Sequence, residues 1–224
     1  MKEPLFRDMN SPREDGALQL PPSLMSLAVQ LRGRRIEHGS TCRTVITPAG
    51  PGFDSSALVN NLAEALRQIH ESPVLTIHCG RKQSDRTIEA PPKNELLIDS
   101  NLNGGEERAL ELSFENRNAV PDLALLRFTD QVNLVSAIAS PVFGEFLANA
   151  GESFRHILFS AGCQQEHSET AFLAQIAHQV IVTVSANRTK IADIQATQRM
   201  LKRSQSVILG FLFETQNASA RPQP

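Results

Sequence analysis

The sequence predicts an α/β protein, with a mostly parallel sheet covered by helices on both faces. Three observations point there. Short apolar runs rich in β-branched residues alternate along the chain with stretches of helical periodicity. Several of these runs, such as Val180-Ile181-Val182-Thr183-Val184, are almost continuously apolar, the pattern of a strand buried on both faces. Strand, Gly-rich turn, helix and strand also follow one another within residues 44–77, as a βαβ unit requires.

Each element can be justified in turn. Residues 1–20 carry Pro4, Pro12 and Gly16 without a sustained period and read as a flexible arm. Pro21-Pro22-Ser23 opens a helix that Ser23 can cap, with Leu24, Leu27, Ala28 and Leu31 at helical spacing. Thr44–Thr47 is a short strand running into the turn Pro48-Ala49-Gly50-Pro51-Gly52. Ser55–His70 is a helix with Leu58, Leu62, Ala65, Leu66 and Ile69 on one face, and Pro73 separates it from the strand Val74–Ile77. Residues 80–118 are polar and broken by Pro91-Pro92 and Gly104-Gly105, so they read as loops around short helical pieces.

Order returns with the strand Leu123–Phe128, the helix Pro141–Ala150 and the strand Phe154–Ser160. The helix Glu169–His178, the strand Val180–Val184 and the amphipathic helix Lys190–Arg203 (Ile191, Ile194, Met200, Leu201) follow. Val207–Phe213 is the last strand, and residues 215–224 form a disordered polar tail. Residues 21–214 thus make one domain, in which Val45, Ile46, Val74, Ile77, Ile157, Leu158, Ile181, Val182 and Val184 are expected to be buried.

Composition removes several function classes. The 224 residues hold 22 Lys and Arg against 24 Asp and Glu, a net charge of −2, whereas phosphate-backbone binders carry a basic excess. No nucleic acid partner is expected. The chain has neither Tyr nor Trp, so it offers no phenolic acid, no phenolic nucleophile and no tyrosine to phosphorylate. Three cysteines, Cys42, Cys79 and Cys163, are too few and too widely spaced for a disulfide framework or a zinc ribbon, which suits a reducing cytoplasm. The charged N-terminus lacks the apolar core of a secretory signal. The longest apolar stretch, Val207–Phe213, is far short of the ~20 residues a membrane span needs.

A strand that ends in a Gly-rich turn opening a helix is a phosphate cradle, because backbone N–H groups converge there and the helix dipole favours negative charge. The stretch from Thr47 to Ala63, with Pro51-Gly52 in the turn and Asn61-Leu62-Ala63 in the helix, resembles the Walker A segment of bacterial tyrosine autokinases of capsule and exopolysaccharide assembly. In that family the turn reads P-G-E-G-K-S-T and N-L-A follows in the helix. The resemblance continues through Pro73–Ile77, Phe154–Ser160 and Gln179–Val184 to about Glu214, covering roughly residues 21–214. It implies a P-loop NTPase-like fold of the deviant MinD/ParA type.

The departures from the family are concentrated at the nucleotide-handling positions. In the vestigial loop Gly50, Pro51, Gly52, Phe53, Asp54, Ser55 and Ser56, Ser55 stands where the resemblance places the phosphate-binding Lys. Asp54 replaces the preceding Gly, and Phe53 the acidic residue before it. His78 and Gly80 occupy the acidic positions of the second Walker motif, and Ser160 that of Walker B. Only the Ser56 hydroxyl survives. Each preorganised group lost from a charge-stabilising site costs ~10²–10³-fold in rate. An Asp54 carboxylate ~4 Å from a phosphate adds a repulsion of about 4 kcal/mol at an effective dielectric of about 20.

The resemblance with these departures implies a pseudokinase with no catalytic residues and no cofactor, binding ATP and magnesium weakly if at all. Its expected partner is an inner-membrane polysaccharide chain-length or export protein, which would hold this cytoplasmic chain at the membrane. The family's helix matching Ser23–Arg32 makes subunit contacts in rings, so Arg32, Arg34 and Arg35 are candidates for a homo-oligomer contact. Two alternatives stay open: a residual ATP-binding kinase or ATPase, and a degenerate division-site or partition ATPase. In the resembled fold His78, Cys79, Cys163 and His167 could converge as zinc-compatible ligands, although their spacing matches no standard zinc motif, so no metal is expected.

Overall fold

The computed structural model describes residues 21–33, 41–51, 54–70, 73–79, 95–98, 123–128, 133–163 and 168–214. The arm expected over residues 1–20 and the tail over 215–224 lie outside the described residues. Seven strands form one sheet: β1 (Cys42–Pro48), β2 (Val74–His78), β3 (Glu95–Ile98), β4 (Leu123–Phe128), β5 (His156–Ser160), β6 (Gln179–Ser185) and β7 (Ile208–Glu214). Their order is β3-β4-β2-β5-β1-β6-β7, and every neighbouring pair is parallel. The helices are α1 (Pro22–Gly33), α2 (Ser56–His70), α3 (Leu134–Ile138), α4 (Pro141–Ser153), α5 (Glu169–Ile176) and α6 (Ile191–Arg203).

Strand alternation divides the apolar residues between two cores. Ile46, Val74, Leu158 and Ile181 face α2 and α1, where they meet Leu62, Leu66, Leu24 and Leu31. Their chain neighbours Val45, Leu75, Ile157 and Val182 face the opposite way, onto Phe143, Phe146 and Leu147 of α4, Leu173 of α5 and Leu201 of α6. All nine strand residues expected to be buried are 5% exposed or less. Residues buried on both sides of a central strand leave no room for polar alternation, which explains the continuous apolar runs.

Local chemistry sets the helix ends. Ser140 caps α4 by accepting the Phe143 N–H at 3.2 Å, with Pro141 as the first helical residue. α1 differs from expectation: it begins at Pro22, and the Pro21 carbonyl accepts the Leu24 N–H at 2.9 Å. Ser23 therefore lies inside the first turn and not at the cap. α6 also turns its stripe, leaving Ile191 74% exposed while Thr197 and Leu201 face inward.

Two elements were not expected. β3 forms where loops and helical pieces were read, because the short run Glu95-Leu96-Leu97-Ile98 finds a parallel partner along β4. The single turn of α3 is closed by Asn133, whose side chain accepts the Ser136 N–H at 3.2 Å. At the far edge, β7 takes an extra residue at Leu209: Val180 pairs with Ile208 and Ile181 with Gly210.

Leu62 is fully buried between α1, α2 and the sheet. Leu62→Ala is expected to cost about 2–5 kcal/mol in urea unfolding, while Ile191→Ala stays within about 0.5 kcal/mol.

Candidate functional site

The loop expected to be a phosphate cradle leaves β1 at the carboxyl edge of the sheet. Insertion of β5 between β1 and β2 makes this edge a point where the strand order changes direction, the place where such sheets bind ligands. Ala49 anchors the loop: its N–H donates to the Thr183 carbonyl at 2.9 Å and its carbonyl accepts the Thr197 hydroxyl at 3.1 Å. A side-chain carbon at Gly50 would meet only ordinary contacts with Thr189 and Asp193. Pro51 is exposed, and Gly52 and Phe53 lie outside the described residues.

Asp54 is exposed, and its Oδ1 accepts the Ser56 N–H at 2.8 Å. The carboxylate thus holds an amide of the first helical turn, one of the donors that such a cradle offers to phosphate. Ser55 accepts the first helical bond through its carbonyl, from Val59 N–H at 2.9 Å. Its hydroxyl does not cap the helix. Asp54 does that work, and the Ser55 side chain is buried under the sheet edge.

There it joins Ser160, the last residue of β5. Ser55 Oγ is 2.9 Å from Ser160 Oγ, 3.2 Å from the Ala161 carbonyl and 3.4 Å from that of Ile46. Ser56 Oγ lies 3.2 Å from Ser160 Oγ on the other side. Each hydroxyl has one proton and accepts through its lone pairs. One direction satisfies all three: Ser56 donates to Ser160, Ser160 to Ser55, and Ser55 to the Ala161 carbonyl. The Ile46 carbonyl is already used by the Ala161 N–H at 3.0 Å. The result is a neutral hydroxyl chain at the positions where the resemblance places an ammonium, a magnesium-binding hydroxyl and a carboxylate.

His78 sits beside Ser160 in register, on the neighbouring strand. It is buried, and its Nε2 is 3.0 Å from Asn60 Oδ1, which makes the imidazole the donor. Asn60 is one helical turn beyond Ser56, so α2 presents both groups to the sheet edge. Cys79 belongs to the opposite core, with its N–H donating to the Ser160 carbonyl at 2.8 Å. Burial, reinforced by the Glu169 carboxylate, holds its thiol well above the usual range. Cys163 is buried, and His167 lies outside the described residues. Among the described residues no three His, Cys, Asp or Glu side chains come together as metal ligands. Behind this edge the Gly162 carbonyl accepts both Thr47 Oγ1 at 2.9 Å and Thr170 Oγ1 at 3.0 Å, fixing the segment after β5.

The P-loop fold that the sequence resembles implies a magnesium–nucleotide complex, and the residues present do not fit one. Ser55 supplies no cation, His78 and Ser160 supply no carboxylate, and Asp54 occupies a first-turn amide. Sequence reading located Ser55, Ser56 and Ser160, but not that their hydroxyls bond one another. It also missed Asn60, whose only signal was its place four residues after Ser56.

Comparison with solved structures defines the class: an α/β P-loop NTPase-like fold shared with MinD. The MinD cell division protein of Aquifex aeolicus matches with a TM-score of 0.51 at 15% identity, over 78% of this chain and 69% of its own. Within that class the fold is that of a bacterial tyrosine kinase domain. The kinase domain of the Escherichia coli tyrosine kinase ETK matches with a TM-score of 0.64 at 13% identity, over 90% of this chain and 78% of its own. The chimerical protein CapA2B2 matches with a TM-score of 0.67 at 15% identity, over 94% and 88%. At these identities the likeness is one of fold. No sequence-defined family matches the chain, and no curated protein matches it in sequence.

All three cysteines are buried and unbridged. A thiol reagent at mildly alkaline pH is expected to leave the native protein unlabelled and to modify all three once urea unfolds it. Fast labelling of native Cys79 would contradict its place in the core.

Proposed function

We propose that this chain is a non-catalytic partner protein, a pseudokinase of exopolysaccharide or capsule assembly that works by binding and not by phosphoryl transfer. The observation that supports this reading is the hydroxyl chain Ser55–Ser160–Ser56 beneath the Asp54 carboxylate. Every polar group in it has a partner without any ligand. In phosphoryl transfer, catalysis comes from fixed charges aimed at the phosphate oxygens. Here those charges are replaced by neutral hydroxyls and a carboxylate of the wrong sign.

The working unit in this reading is residues 21–214, acting at the cytoplasmic face of the inner membrane. Among the described residues no helix is long and apolar enough to cross a membrane, so attachment would run through a partner. The partner that suits a domain with this fold is the cytoplasmic part of an inner-membrane chain-length or export protein. The helix α1, packed on α2, is the proposed contact for further copies of the chain.

Nucleotide binding is tested by thermal unfolding. Binding at one hundred times Kd adds ~2.7 kcal/mol, so millimolar Mg-ATP acting on a real site would raise Tm visibly. No rise is expected for the natural chain or for Ser55→Lys, because Asp54 would pair with the new ammonium. Asp54→Gly combined with Ser55→Lys is expected to bind ATP measurably, without turnover. A magnesium-dependent rise in Tm with the natural chain would instead favour a residual ATPase.

Partner binding is tested by fractionation. Co-expressed with an inner-membrane chain-length protein, the chain is expected to sediment with membranes, and to return to the soluble fraction when the partner's cytoplasmic segment is removed. A chain that stays soluble in both cases would refute the docking.

A further inference from the structure

At the opposite end of the sheet from the loop, a cavity of about 440 Å³ opens between the end of α5 and the turn from α6 into β7. That volume suits a small molecule. Its wall includes His178, Arg203, Ser204, Gln205 and Ser206, and among the described residues no carboxylate lines it. We propose that this cavity binds a small polar molecule through an oxyanion, a phosphate or a carboxylate, held by His178 with Arg43 and Arg203.

The argument starts from one proton. The backbone N–H of Arg43 donates to His178 Nδ1 at 3.0 Å, so Nδ1 is an acceptor and the neutral ring carries its proton on Nε2. Arg43 Nη2 lies 3.4 Å from that same Nε2. A guanidinium has no acceptor, so two N–H donors face each other across a gap that neither can fill. Burial, and then the Arg43 charge, hold the His178 pKa below its usual value, which keeps the ring neutral. An anionic oxygen roughly 2.9 Å from both nitrogens would satisfy the pair.

The rest of the wall is consistent with an anion. Two helices end here, and their orphan carbonyls would repel negative charge. Several of them already accept hydrogen bonds. Ser206 Oγ donates to the Ala174 carbonyl at 2.9 Å, Ser204 Oγ to Met200 at 3.2 Å, and the Ser206 and Gln205 N–H groups to Leu201 and Lys202, both at 3.1 Å. Gln205 holds the left-handed position of this helix end at φ 56°, where glycine is the less strained residue. Arg203 stands exposed at the rim.

The test follows the His178 ring nitrogens of the full chain by ¹⁵N NMR during titration with inorganic phosphate, and separately with acetate. Sodium chloride at matched ionic strength is the control, since phosphate also stabilises proteins by exclusion from their surface. A saturable shift of Nε2 with Kd at or below about 1 mM is expected for at least one of the two anions. Saturation by phosphate alone assigns a phosphate-bearing ligand, and by acetate alone a carboxylate. The affinity is expected to fall roughly tenfold or more in Arg203→Ala, whose exposed side chain can be removed without harm to the fold. A response to both anions no greater than to chloride would overturn the proposal. So would a saturable shift whose midpoint is unchanged in Arg203→Ala.

Discussion

The parallel ladder that seats β5 between β1 and β2 determines most of what this molecule can do. It places Ser160 level with Ile46 on one side and His78 on the other, and it brings the start of α2 directly above that row. The same ladder sends Ile157 and Phe159 into one core and Leu158 into the other. A slip of one residue would exchange those faces, burying polar groups against Phe143 and exposing apolar ones. Core and site are therefore held by one register.

Electrostatics distinguishes this sheet edge from one built for nucleotide. An ammonium and carboxylates placed together under a helix are costly to desolvate and depend on a ligand or on each other for compensation. Three serines need neither. Each hydroxyl is met by another or by a carbonyl, and the exposed Asp54 occupies the first-turn amide from outside. The edge is complete as a piece of protein, because each of these hydroxyls is satisfied from within the fold.

How much of this was legible in the sequence follows from the physics of each element. Strands such as Val180–Val184 are buried on both faces, and their apolar runs declared both their existence and the parallel sheet. β3 was not legible because four residues carry no usable period, and its pairing is decided by β4. The helix over Ser55–His70 was read within one residue, yet the capping role fell to Asp54 because Ser55 found better acceptors across the fold than along its own helix. The bond from His78 to Asn60 joins residues on different elements, and local spacing does not encode such a pair. Tertiary neighbours chose these partners, while composition had already fixed which groups were charged.

The extra residue at Leu209 bears on how the sheet ends. β7 is an outermost strand with an apolar sequence, and Phe213 is 69% exposed. A strand of that kind offers its unpaired amides and carbonyls as a template on which another chain can add, the first step toward aggregation. A two-for-one step twists the strand and breaks the even spacing that such a template requires. The irregularity that costs β7 part of its own ladder thus helps to keep a crowded population of these molecules from zipping together edge to edge.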